Sequence, residues 1–101
     1  MGIDVYLKDE QGAVLGSAPD PGMLLSRFAQ SQAAREAPLL RFLDPAGDLI
    51  LNRAQSTALL GELAGIIPKT DAPLRVLLEK VREFAERAER EVHLYLWFVG
   101  D

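Results

Sequence analysis

Apolar and polar residues alternate strictly at both ends of the chain. In the opening IDVYLK, Ile3, Val5 and Leu7 fall on one side and Asp4, Tyr6 and Lys8 on the other. A period of two marks a strand with one face buried. In the closing VHLYLWF, Val92, Leu94, Leu96 and Phe98 alternate with His93, Tyr95 and Trp97. The second strand thus carries bulky groups on both faces.

Between these ends the pattern changes period. Asp9-Glu10-Gln11-Gly12 has the residues of a type I turn with a glycine bulge, so residues 13–16 are expected to return as the second strand of a hairpin. Asp44-Pro45-Ala46-Gly47 repeats the frame, with proline where its fixed φ belongs, and predicts a second hairpin from residues 39–43 and 48–51.

Three helices are expected. Asp20 followed by Pro21 reads as an N-cap with proline at N1, opening a helix over residues 21–34 that Pro38 stops. Asn52 with Gln55 forms a capping box ahead of Leu59, Leu60, Leu63 and Ile67. Within that helix Gly61 and Gly65 share a face, which suggests close approach of another element. The third helix opens at Thr70-Asp71-Ala72-Pro73 and carries an apolar stripe of Leu74, Leu77, Leu78, Val81, Phe84 and Ala88. Glu83 with Arg87 and Glu86 with Arg90 are spaced as i,i+4 ion pairs on its solvated side.

The order ββαββααβ argues a single α+β domain over residues 1–101, with a mainly antiparallel sheet of about five strands and helices mostly on one face. The last strand could insert beside the first, parallel or antiparallel, because both are among the most apolar, and the pattern alone leaves the strand order open.

With helices on one face, the other face collects Asp4, Tyr6 and Lys8 with His93, Tyr95 and Trp97; Arg41 and Asp48 could join it. Three aromatic side chains left open amount to roughly 500 Å², near the largest apolar patch of an ordinary monomer. Something is therefore expected to cover them. One candidate is the segment 21–34 of the same chain. The other is a partner, either a second copy or another protein, since Tyr, Trp and Arg dominate such contacts. The expected interaction surface is Tyr6, Arg41, His93, Tyr95 and Trp97.

Composition narrows the rest. The chain has no cysteine and one histidine, which removes thiolate chemistry and leaves His93 a poor zinc candidate. Asp4 and His93 could form a polar pair across adjacent strands, orienting the imidazole as a general base or serving structure alone. No serine sits in a G-x-S-x-G elbow, and no phosphate-binding glycine loop or calcium loop occurs. No catalytic residue, metal or cofactor is expected.

The formal net charge of −4 disfavours nucleic acid and suits a basic protein partner. No apolar run approaches the ~20 residues of a membrane-crossing helix. The start MGIDVYLKDE has acids where a secretory leader carries basic residues, so a cytoplasmic location is expected.

MGIDVYL and HLYLWFVGD resemble the two ends of short bacterial proteins that begin MGID and close on an aromatic strand. The resemblance implies a bacterial source; frequent alanine and the use of arginine at eight of eleven basic positions suit a GC-rich genome. It implies no activity, cofactor or site residue.

The expected function is a non-catalytic protein-binding module, either a homodimer or an acidic neutraliser of a basic partner. The alternative is a small enzyme or small-molecule-binding domain organised by Asp4 and His93.

Overall fold

In the computed structural model, residues 2–100 are described. Their sheet has four strands, all antiparallel, in the order β2-β1-β4-β3. They are β1 (Ile3–Asp9), β2 (Val14–Ala18), β3 (Asp48–Leu51) and β4 (Leu94–Gly100). The helices are α1 (Leu24–Phe28), α2 (Gln32–Glu36), α3 (Arg53–Ile66) and α4 (Leu74–Arg90). The architecture is α+β, and the radius of gyration of 12.2 Å is that of one compact unit.

The two alternating ends of the chain become the two central strands. Val5 faces Phe98, Tyr6 faces Trp97 and Leu7 faces Leu96. One face of this pair is fully covered: Ile3, Val5, Leu7 and Leu96 have no exposure, and Phe98 has 1%. α4 packs there against β1, β2 and β4, and α3 against β3 and β4. The apolar stripe of α4 lies buried as its spacing predicts, with Leu74 at the margin. Its approach to β2 is close. A Cβ on Gly16 would stand 2.8 Å from the Phe84 ring, so glycine occupies that strand position.

The first turn forms as expected: the Gly12 N–H donates to the Asp9 carbonyl and Gly12 takes φ 87°. The second D-x-x-G turn also forms, with the Gly47 N–H donating to the Asp44 carbonyl, but it closes no hairpin. Residues 40–42 are a 3-10 turn rather than a strand, which leaves four strands instead of five. The cause lies on α3, where the half-buried Glu62 carboxylate accepts the N–H groups of Leu39 and Leu40 at 2.9 and 3.1 Å. A side chain distant in sequence thereby takes the backbone donors a strand ladder would have used. β3 pairs with β4 instead, and the Asp44–Gly47 turn is closed by the Gly100 N–H donating to the Gly47 carbonyl.

The helix expected over 21–34 is broken. Gly22 and Met23 take left-handed φ of 61° and 57°, after which α1 runs for five residues and α2 starts afresh on a Ser31 cap. Asp20 still serves as the cap, at greater reach. Its carboxylate accepts from Leu25 N–H at 2.7 Å, Ser26 N–H at 3.1 Å and Ile3 N–H at 2.9 Å, tying α1 to the first strand. The Asn52–Gln55 capping box of α3 is present in both directions.

Two surface expectations are corrected. An added Cβ at Gly61 or Gly65 would meet nothing within 4 Å, so neither glycine is there to admit close packing by another element among the described residues. On α4 the ion pairs are Arg75–Glu79, Arg82–Glu79, Lys80–Glu83 and Arg87–Glu91, because Arg87 turns toward the helix end and not toward Glu83. No helix among the described residues is long and apolar enough to cross a membrane.

Candidate functional site on the open sheet face

The face of the sheet opposite the helices is built by the polar-phase residues of the same strands. Register aligns Ser17, Tyr6, Trp97 and Ile50 in one row across all four strands. Tyr95 lies opposite Lys8 in the next row toward the β1–β2 turn, and Val99 opposite both Asp4 and Asp48 in the row beyond Trp97. The segment 21–34 does not cover this face. Its α1 packs on α4, and Leu25 and Phe28 belong to the core on the helical side.

The aromatic residues shield one another in part. Tyr6, Tyr95 and Trp97 are half-buried, and the Lys8 ammonium lies 4.2 Å from the Trp97 ring centroid and 5.4 Å from that of Tyr6. A cation over the π-face of tryptophan is held by the ring quadrupole. Among the described residues Lys8 has no carboxylate within ion-pair distance, so the rings are its only charge partners. Ile50 remains 45% exposed. Neither tyrosine hydroxyl nor the indole N–H has a hydrogen-bond partner among the described residues. Groups of this kind, apolar in body and polar at the tip, suit a surface that meets another polar surface.

Of the residues expected to form the site, the structure brings together Tyr6, Tyr95 and Trp97 and leaves out two others. Arg41 lies in the 3-10 turn at residues 40–42, exposed, with its guanidinium 4.8 Å from the Phe42 ring, because the strand expected to carry it is absent. His93 precedes β4 with φ 65°, so the strand begins only at Leu94 and Val92 is 58% exposed rather than in the core.

The Asp4–His93 pair is not formed. The antiparallel register sets Asp4 opposite Val99 at one end of the sheet and Asp9 opposite Leu94 at the other. His93 Nδ1 instead lies 3.1 Å from Oε2 of the exposed Glu10, and the Asp4 carboxylate accepts the Asp20 N–H at 3.2 Å. Among the described residues no three His, Asp or Glu side chains gather in a way that could hold a metal ion.

Two concavities matter for the site. The smaller, about 450 Å³, opens on the aromatic face between the β1–β2 turn and β3, walled by Asp9, Glu10, Gln11, Ile50, Tyr95 and Trp97. The larger, about 710 Å³, is an apolar groove between β2 and the start of α4, lined in part by Pro19, Pro73, Val76 and Leu77. Its charged rim is already paired, Glu79 with two arginines and Glu83 with Lys80.

Ile50 was the member of the aromatic row that sequence reasoning missed. The alternation of Asp48 and Ile50 in DLIL carries the signal, obscured by the apolar residues on both sides of it.

No protein-family model, curated protein or solved structure matches the chain.

Proposed function

We propose that the protein is a binding module that contacts another protein through its open sheet face, with Tyr6, Tyr95, Trp97 and Ile50 at the centre of the contact. The observation that supports this reading is the row Tyr6–Trp97–Ile50, apolar in body, uncovered by any helix, and carrying aromatic polar tips without hydrogen-bond partners among the described residues. A sheet face meeting only water is served by Thr, Lys and Glu. Half-buried Tyr and Trp with an exposed Ile instead match the composition at the centre of protein interfaces.

Site-specific photo-crosslinking tests the reading. A photoreactive phenylalanine analogue is placed at Ile50, and at Ala58 on the exposed side of α3 as a control, in the cells that make the protein. A discrete adduct from position 50 and none from position 58 is expected. An adduct of twice the chain mass identifies a second copy as the partner. Equal labelling at both positions, or none at position 50, contradicts the proposal.

A further inference from the structure

The cleft of about 450 Å³ on this face combines two aromatic walls with two carboxylates and no basic side chain. Asp9 uses Oδ1 to accept the N–H groups of Gln11 and Ala13, and Glu10 uses Oε2 toward His93. The second oxygen of each carboxylate makes no hydrogen bond or ion pair among the described residues. The other walls are Tyr95, Trp97 and Ile50.

Aromatic faces beside free carboxylate oxygens are complementary to a flat cation. A guanidinium can stack on a ring and donate in its own plane to carboxylates at the edge. Trp97 already shows this preference within the chain, since it holds the Lys8 ammonium 4.2 Å from its centroid. Lys8 is not part of the cleft wall, so the cleft is not filled by the chain's own cation. The net charge of −4 adds long-range attraction for a basic surface.

We infer that this cleft receives an arginine side chain of a basic protein partner, stacked against Tyr95 and Trp97 and bonded to Asp9 and Glu10. The inference rests on the reading of the sheet face as a protein-binding surface and specifies the chemistry of what binds there.

The test uses N-acetyl-arginine amide as the probe and N-acetyl-citrulline amide as its uncharged equal in shape. Trp97 is the only tryptophan, so its fluorescence and its indole N–H resonance report the cleft directly. The arginine probe is expected to give a saturable change in the millimolar range, at least ten-fold weaker with citrulline and at least five-fold weaker in Glu10→Gln. Glu10 lies in an exposed turn, and an unchanged amide spectrum establishes that the variant is folded. A non-saturating response, equal responses to the two probes, or full binding by Glu10→Gln overturns the inference. If the arginine probe fails while position 50 still crosslinks, the face binds protein by other chemistry and only this inference falls. If both fail, the reading of the face falls with it.

Discussion

The Lys8 ammonium stands 4.2 Å from the centroid of the Trp97 ring, on the sheet face that no helix covers. The two residues sit on neighbouring central strands, diagonal to each other, with Trp97 two residues along β4 from Tyr95, the residue directly opposite Lys8. A half-exposed cation–π contact of this kind contributes about 0.5–1 kcal/mol. A double-mutant cycle with Lys8→Met and Trp97→Leu, read by urea unfolding followed by circular dichroism, is expected to return a coupling energy of that size. A coupling of zero would mean that Lys8 lies free in solution.

Glu62 decides what residues 39–43 become. Its carboxylate accepts two backbone N–H groups of the 3-10 turn. Bonds to a charged acceptor are the stronger kind, and removing the acceptor leaves part-buried donors without a partner. Glu62→Ala should lower unfolding stability by about 2 kcal/mol. Glu62→Gln keeps an acceptor and should lose less than half of that. The urea midpoint at unchanged m-value is the check.

Gly100 lies against the Asp44–Pro45 backbone. A Cβ there would come within 2.5 Å of the Pro45 carbonyl, and the atoms it meets are main chain and unable to swing aside. Gly100→Ala should pry the turn from β4 and cost about 1–3 kcal/mol, the range for overpacking. Faster amide exchange at Gly100 and Gly47 would accompany the loss.

Gly61 and Gly65 behave oppositely. They sit in a helix with open space around them. Alanine at either position should raise stability by about 0.5–1 kcal/mol, measured by thermal or urea unfolding. A loss would reveal a contact at that surface.

How far the fold was legible follows from which residues act locally. β1, β4 from Leu94 onward, the stripe of α4 and the Asn52–Gln55 box depend on spacing within one segment, and each forms as its spacing implies. The second hairpin failed because its outcome depended on Glu62, more than twenty residues away in sequence. The helix over 21–34 broke where Gly22 and Met23 turn left-handed, while Asp20 reached past them to cap α1. On the site, Tyr6, Tyr95 and Trp97 were legible because alternation assigns them a common face. His93 was not, because alternation continues through a residue whose φ of 65° ends the strand. Its pairing with Glu10 follows from an antiparallel register that pattern alone left open.

If the open sheet face is the protein-binding surface, another protein covers it when the chain is at work. Hydroxyl-radical footprinting of the purified chain and of the same chain inside its own cells tests it most directly. Phe42, 55% exposed and outside this face, is the internal standard. Tyr6, Tyr95 and Trp97 are expected to be oxidised less in cells than in the purified protein, by several-fold relative to Phe42. Equal oxidation of these three residues in both settings, scaled to Phe42, would contradict it.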